Sequence, residues 1–212
     1  MTTAAMIPLK LNNSRNALVS QTNAIVKAKS YRSDYVHHIT IDDVRLMAMP
    51  LKERDRLLIT FLFDTCFRVS EAISIRPCDI QASKDGWTVR VLGKGRKRSV
   101  VAVSASMAAQ LQSYAYREGI KSDDQIFPIN RTRVFQIVQK AMADAGVEKP
   151  DGVGAAHVLR HSGAIHRLSI TGNPKAVQDQ LRHADAQMTL RYMKTLSQNE
   201  SVAINQSVDY KW

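Results

Sequence analysis

The sequence lacks long hydrophobic runs, cysteine pairs and any recognised nucleotide-binding or metal-binding motif. Its most strongly apolar run, residues 57–63, is far too short to span a bilayer, and no secretory hydrophobic segment starts the chain. The two cysteines, Cys66 and Cys78, form no CxxC pair and no zinc set, so reduced thiols are expected. These absences predict a soluble cytoplasmic protein without membrane segments or a bound metal.

Acidic residues are also scarce, and their scarcity is uneven along the chain. Lysine and arginine number 30 against 19 aspartate and glutamate residues, which gives a formal net charge of +11 and a pI near 9.9. Residues 1–33 contain basic residues and no acidic one. This concentration favours nucleic acid as the partner over an anionic membrane surface or a generally basic protein.

Residues 1–35 combine this positive charge with little periodic hydrophobicity. We interpret them as a flexible basic arm that lies along DNA. A tail without a role fits equally well, whereas an organelle transit peptide fits less well because few of the basic residues are arginine. Residues 36–212 are then expected to form one folded domain, since they are numerous enough to build a core.

Helical periodicity predicts most of this domain. The strongest buried helix covers residues 53–65, where apolar side chains recur at helical spacing. Capping and stop residues predict further helices from Thr40 to Met49, from near Ser70 to a stop at Pro77, from Ser104 to about Arg117, and from Asn130 to Ala145.

Alternating hydrophobicity predicts one β-hairpin, with strands at residues 87–92 and 98–103. Its tip reads GKGRKR, which matches neither GxGxxG nor GxxxxGK[ST] and is therefore not a nucleotide loop. The two glycines leave Lys94 free to project, and the tip suits contact with backbone phosphates. The alternative is a solvated charged turn. The DNA-contacting residues predicted at the tip and on the helix after Asn130 are Arg96, Lys97, Arg98, Arg131 and Arg133.

The stretch from His157 to Tyr192 concentrates side chains suited to phosphoryl chemistry. Helical spacing places His157 and Arg160 three residues apart on one face of a helix, with His183 further along the chain. We expect these three basic groups to approach a tyrosine hydroxyl that attacks a phosphodiester bond.

Turn residues divide that stretch into three predicted helices. Gly172 ends the first, Asn173 and Pro174 begin the second, and Asp185 caps a short third helix over residues 186–193. Because the third helix is short and separately capped, the tyrosine that it carries is expected to be able to move.

Each of these residues also has an ordinary structural interpretation. Arg68 fits a salt bridge with an acid such as Asp64, His183 fits a cation at a helix C-terminus, and Tyr192 fits a packed aromatic side chain. The two histidines of HVLRH are spaced as a zinc pair, but the motif lacks the glutamate of HExxH. Only their joint occurrence favours a catalytic site.

Six candidate catalytic residues occur in a particular order. They are Arg68 (with Glu71 three residues later), Lys94 at the hairpin turn, His157 and Arg160 within HVLRH, His183, and Tyr192 nine residues on. The series resembles the tyrosine recombinases of the phage integrase family, over Ile39–Trp212. The resemblance implies a mixed fold, mainly α-helical with a small antiparallel β-sheet, as in the catalytic domain of those DNA breaking-rejoining enzymes.

The resemblance also implies roles. Tyr192 would form a 3′-phosphotyrosyl link, Arg68 and Arg160 would clamp the phosphate, and Lys94 would protonate the leaving 5′-oxygen. His157 and His183 would donate to the phosphate or aid proton transfer. Glu71 and His161 would orient these groups from a second layer, and no metal, ATP or other cofactor is implied.

Two positions depart from the family pattern. Cys66 replaces the glycine of T-G-[LM]-R, and Arg182 replaces the glycine of L-G-H. Each stands beside a catalytic position, so the replacements are expected to shift the backbone and lower activity without removing a functional group.

The function implied is site-specific DNA recombination or integration. A type IB topoisomerase and a DNA-binding regulator with the same fold remain alternatives, whereas a metal nuclease would need a carboxylate cluster. The residues before the domain are too few for a separate core-binding domain, which resembles the short fimbrial-inversion recombinases. The expected partner is double-stranded DNA, on which a homotetramer forms, with a possible accessory DNA-binding protein. The expected origin is bacterial, archaeal, phage or plasmid, with association to the nucleoid.

Overall fold

The fold is mainly α-helical with one small sheet, as the sequence predicts. In this computed structural model, the described residues are 36–92, 98–150, 152–182 and 187–206, with side chains through Ser197 apart from that of Arg98. The predicted basic arm lies outside them. The elements in chain order are α1 (Ile41–Ala48), α2 (Glu53–Thr65), α3 (Val69–Ala72), a 3-10 turn (Pro77–Asp79), β1 (Ile80–Ser83), β2 (Gly86–Leu92), β3 (Arg98–Val103), α4 (Ala105–Arg117), α5 (Arg131–Asp144), α6 (Ala155–Thr171), α7 (Pro174–Leu181) and α8 (Gln187–Gln206).

Side-chain caps begin four of these helices where the sequence predicts them. Thr40 accepts a hydrogen bond from the Asp43 backbone N–H, and the Asp43 carboxylate accepts one from the Thr40 N–H in return. Ser104, Asn130 and Asn173 cap α4, α5 and α7 through their own side-chain oxygens. Each cap satisfies a backbone N–H that has no partner within its helix. None of the helices within the described ranges is long and apolar enough to cross a membrane.

The predicted helix from Ser70 to Pro77 is wrong in length. Helix α3 ends at Ala72, because the carbonyl of Ile75 accepts a hydrogen bond from the Ile126 N–H, 3.0 Å away, instead of continuing the helix. A third strand then follows. Strand β1 pairs antiparallel with β2, which pairs with β3, so that Val89 lies between Ile80 and Val101.

Helix α2 forms the centre of the main core. Its apolar residues are buried, and Phe61 packs edge-on against Phe67 with ring centroids 5.2 Å apart. Helix α6 crosses it closely at Gly163, where an added Cβ would lie 2.1 Å from the Phe63 carbonyl oxygen. A glycine is therefore required at this crossing.

We expect Gly163→Ala to lower the free energy of unfolding by about 1–3 kcal/mol, because α2 and α6 must separate to admit the methyl group. Urea unfolding measures the change, and Ser169→Ala on the exposed side of α6 is the control. Alanine normally favours a helix over glycine by about 1 kcal/mol, so an increase in stability would contradict this close approach.

The predicted short helix at residues 186–193 is also wrong. Helix α8 continues to Gln206, because Tyr192 and Thr195 lie on one buried face. The Thr195 hydroxyl accepts a hydrogen bond from the Val36 N–H at 2.9 Å and donates to the Arg191 carbonyl. The tyrosine therefore stands inside a long helix that packs against α6 and α7. Its helix contributes to a second core cluster formed by Val36, Cys66, Ala164, Ile165, Leu168, Val177, Leu181 and Tyr192.

Candidate active site

Arg160 is the central cation of the candidate site, and it is more deeply buried than helical spacing suggests. Only 3 % of the residue is exposed. Its guanidinium donates to the carbonyl of Cys66 at the end of α2 and, at 2.9 Å, to the carbonyl of Leu181 at the end of α7. Burial, followed by the charge of Arg68, lowers the pKa of Arg160 to about 10, so it remains a cation at neutral pH.

Arg68 lies at the start of α3 and is anchored by Glu71. The Arg68 backbone N–H donates to Glu71 Oε2 at 2.8 Å, and Arg68 Nη1 lies 3.1 Å from Oε1. Burial alone would raise the pKa of Glu71, but the Arg68 backbone hydrogen bond and the charges of Arg182 and Arg68 outweigh it and lower the pKa. Glu71 is therefore an anion that fixes Arg68, whose side chain remains 43 % exposed.

Tyr192 is fully buried, and its hydroxyl contacts His161. The Tyr192 Oη and the His161 Nδ1 lie 2.7 Å apart, and the rings meet edge-on. Burial raises the pKa of Tyr192 to about 12, although the charge of Arg160 acts in the opposite direction. The structure therefore holds the tyrosine as a neutral phenol. His161, which sequence reasoning assigned to a second layer, touches the candidate nucleophile directly.

His157 lies on the same helix as Arg160 but is exposed. Partial burial, and then the positive charges of Arg160, Arg68 and Arg131, lower the pKa of His157. Its imidazole is therefore neutral at neutral pH and can donate one hydrogen bond. Arg131, at the start of α5, is thus close enough to the site to act on it electrostatically.

The structure brings together Arg68, Glu71, His157, Arg160, His161 and Tyr192. Four other predicted site residues, Lys94, Arg96, Lys97 and His183, lie outside the described residues, as does the side chain of Arg98. Arg133 is exposed on α5, where its guanidinium lies 3.4 Å from Gln136 Oε1.

The alternative pairing of Arg68 with Asp64 is not observed. Asp64 accepts a hydrogen bond from the Ser104 N–H at 3.0 Å and pairs with Arg167, with Nη2 and Oδ1 3.7 Å apart. Among the described residues, no group of three or more histidine, cysteine, aspartate or glutamate side chains is placed to hold a metal ion.

The two expected glycine positions have a left-handed backbone. Cys66 has φ 55° and Arg182 has φ 53°, and they are the non-glycine residues with positive φ in the part of the chain that is described. Both carbonyls that Arg160 binds lie in these turns, at Cys66 itself and at Leu181 just before Arg182. The replacements therefore retain the conformation that favours glycine.

Arg182 is the site residue that sequence reasoning missed as a functional group. Its guanidinium stacks over the Phe67 ring at 5.0 Å and donates to Glu71 Oε2 at 2.5 Å. The only signal in the sequence was a charged side chain where the resembled family carries glycine.

Replacing Tyr192 with phenylalanine is expected to change how stability depends on alkaline pH. Because the folded pKa is raised from 10.0 to about 12, the unfolded state releases the phenol proton first. The contribution of the neutral phenol to the free energy of unfolding is complete below pH 10. It is lost as pH rises toward about 12, by at most about 1.4 kcal/mol per pH unit. Urea unfolding between about pH 9 and about pH 11 should show a smaller decline for Tyr192→Phe than for wild type. A parallel decline in both proteins would contradict the burial of a neutral phenol.

Known proteins share both the sequence pattern and the fold. The model of the phage integrase family matches residues 31–199. A tyrosine recombinase of Pseudothermotoga lettingae is 31% identical over 76% of this chain and 57% of its own length. The tyrosine recombinase XerD of Chlorobaculum tepidum is 32% identical over 73% of this chain and 56% of its own length. The chain thus spans a little over half the length of these curated relatives.

Solved structures agree on the fold. XerH site-specific recombinase bound to palindromic difH substrate matches 80% of this chain and 53% of its own, with a TM-score of 0.67 and 20% identity. The catalytic domain of bacteriophage HP1 integrase matches 81% of this chain and 95% of its own, with a TM-score of 0.59 and 20% identity. The predicted mainly helical fold with a small antiparallel sheet is thus confirmed. The chain belongs to the phage integrase family and carries a tyrosine recombinase catalytic domain.

Proposed function

We propose that this protein is a site-specific DNA recombinase that cuts and rejoins strands through Tyr192. The observation that carries the proposal is the grouping of the Tyr192 hydroxyl, the His161 imidazole and the Arg160 guanidinium at the junction of α6 and α8. A phenol next to a buried cation and a proton acceptor suits attack on a phosphodiester, since its negative charge can be stabilised as it forms.

In the proposed reaction, the Tyr192 oxygen bonds to the scissile phosphorus and the bond from phosphorus to the 5′-oxygen breaks. His161 Nδ1, in the tautomer with its proton on Nε2, takes the phenol proton, and Lys94 supplies a proton to the leaving 5′-oxygen. Arg68 and Arg160 bind the non-bridging oxygens, and the neutral His157 donates to one of them. We also propose that His183 donates to the phosphate; this role rests on its place in the order of motifs along the sequence.

The phosphotyrosyl link preserves the phosphodiester energy, so a free 5′-hydroxyl can reverse the step without ATP. The guanidinium groups supply the charge that a metal ion supplies in other phosphoryl transfers, so we propose a reaction without metal. Because Tyr192 has no exposed surface, its hydroxyl must become accessible before it meets a phosphate. We propose that DNA binding produces this change.

Double-stranded DNA is the proposed partner, with Arg131 and Arg133 on α5 and the hairpin-tip cations Arg96, Lys97 and Arg98 along its backbone. The exposure of Arg131 and its electrostatic effect on His157 support this placement. We further propose that the protein forms a homotetramer on DNA, with a possible accessory DNA-binding protein, and that residues 1–35 lie along the DNA as an arm. The proposed location is the cytoplasm, at the nucleoid.

The test begins with a duplex selected from a random pool by binding to Tyr192→Phe. A supercoiled plasmid carrying two copies of that duplex is then incubated with wild-type protein in EDTA without nucleotide. Deletion or inversion between the copies is the expected result. Relaxation without exchange would indicate a type IB topoisomerase, and binding without any strand cleavage would indicate a DNA-binding regulator.

A further inference from the structure

We propose that Arg182 is a positioning residue for strand cleavage: it holds the Glu71 carboxylate so that Arg68 presents its guanidinium to the phosphate. This assignment rests on the proposed function and extends it to a position that the family pattern leaves to glycine. The observation behind it is one buried carboxylate shared between two arginines from distant parts of the chain.

The sharing is visible in the contacts of Glu71. Oε1 lies 3.1 Å from Arg68 Nη1, whereas Oε2 accepts from the Arg68 backbone N–H at 2.8 Å and from Arg182 Nη2 at 2.5 Å. Glu71 is only 5% exposed, so these contacts are weakly screened. Among the described residues, Arg182 is thus the side-chain donor to Oε2, and Arg68 reaches this oxygen through its backbone N–H.

The sharing of the Glu71 carboxylate changes how strongly Arg68 is paired. With Arg182 absent, the Glu71 carboxylate would be free to turn both oxygens toward the Arg68 guanidinium, and the pair would become a bidentate salt bridge. With Arg182 present, the single negative charge is divided between two cations. Glu71 therefore offsets less of the electrostatic field of Arg68, whose side chain is 43% exposed and can bind a phosphate.

Arg182 is itself held firmly enough to act as a support. Its guanidinium lies over the Phe67 ring, one residue before Arg68, and its side chain is only 12% exposed. The carbonyl of the preceding Leu181 is bound by Arg160. The turn at Leu181 and Arg182 is therefore tied to both phosphate-binding arginines, through Arg160 directly and through Glu71 to Arg68.

The geometry of Arg182 also explains why a side chain is tolerated at a left-handed position. Its φ of 53° disfavours any residue with a Cβ, yet the ion pair and the stacking contact compensate locally. Its Nη1 atom is buried and has no hydrogen-bond partner among the described residues, so the arginine is not optimised for stability alone.

The test compares Arg182→Gly, Arg182→Lys, Glu71→Gln and the double variant Arg182→Gly/Glu71→Gln. Glycine relieves the left-handed backbone while it removes the cation, and lysine keeps a cation without the planar fork. The probe is a nicked form of the duplex selected by binding to Tyr192→Phe. Single-turnover formation of the covalent complex, affinity for the intact duplex and the thermal midpoint are measured for each protein.

We expect Arg182→Gly to slow covalent-complex formation by about 10- to 100-fold at saturating protein, with affinity nearly unchanged, because support of a reacting group is lost. Arg182→Lys should recover part of the rate. The double variant should be no slower than Glu71→Gln, because both changes act through the same carboxylate.

Independent, multiplying losses in the double variant would overturn the assignment, as would a wild-type rate for Arg182→Gly. Equal rates for Arg182→Lys and Arg182→Gly would also overturn it, because a purely structural role would not distinguish the cation. If wild type itself forms no covalent complex on DNA that it binds, the proposed function fails, and this assignment fails with it.

Discussion

Tyr192→Phe will bind the selected duplex with wild-type affinity and form no covalent complex with it. The substitution removes one oxygen from a fully buried ring and leaves the packing of α8 against α6 and α7 in place. The hydrogen bond to His161 is lost, whereas the described hydrogen bonds of Arg68 and Arg160 are made to Glu71 and to the carbonyls of Cys66 and Leu181. Because the nucleophile itself is missing, the cleavage rate is expected to fall by at least about 10⁴-fold.

A matched control is available within the same fold. Tyr114 on α4 is also buried, at 7% exposure, and belongs to the main core, away from the second cluster that contains Tyr192. Tyr114→Phe should therefore form the covalent complex at nearly the wild-type rate. Denaturing gels of nicked-duplex reactions in EDTA compare the three proteins. An adduct that persists in Tyr192→Phe would mean that another residue attacks the DNA.

Arg160→Lys is expected to be the most damaging conservative substitution in the site. Lysine keeps the charge, but its single ammonium cannot reach the carbonyls of Cys66 and Leu181 and also present a fork to a phosphate. The rate of covalent-complex formation should fall by about 10²- to 10³-fold, as for the loss of a donor that stabilises developing charge. The free energy of unfolding should fall as well, because two buried carbonyls lose their donor.

Arg167→Lys on the same helix separates these two effects. Arg167 also donates to a carbonyl near the end of α2, that of Asp64, at 2.5 Å. Its described partners are Asp64 and the Cys66 thiol, and neither side chain is assigned to the reaction. This control should lose stability and keep most of its cleavage rate per folded molecule. Rates from single-turnover reactions and stabilities from urea unfolding are compared for both variants. A wild-type cleavage rate for Arg160→Lys would contradict a role for its planar fork.

Local signals in the sequence predicted most of the helices correctly. Thr40, Ser104, Asn130 and Asn173 cap helices through interactions that span only three residues, so nearby sequence determines them. Strand β1 was missed because only Ile80 of its four residues is buried, so no alternation marks it. It exists because β2 pairs with it.

Long-range contacts explain the other differences. Helix α3 stops early because Ile75 pairs with Ile126, and α8 extends because Thr195 binds the Val36 backbone, 159 positions away. Neither partner can be read from the local pattern.

The candidate site also has parts that local sequence predicts and parts that depend on long-range contacts. Motif order identified Arg68, Arg160 and Tyr192, and the structure places them within electrostatic reach of one another. The Arg182–Glu71 pair joins residues 111 positions apart and depends on a left-handed turn, so sequence reasoning registered only an unusual residue. His161 was identified, but its contact with the Tyr192 hydroxyl required the packing of α8 against α6.

The most direct test of the central claim is to identify the residue that carries DNA after cleavage. The covalent complex formed on the nicked duplex is digested with nuclease and trypsin, and the modified peptide is sequenced by mass spectrometry. Cleavage after Arg191 and Lys194 leaves the peptide Tyr192-Met193-Lys194. We predict a nucleotide attached through its 3′-phosphate to the Tyr192 oxygen. A nucleotide on any other residue, or a 5′-phosphate linkage, would contradict the account.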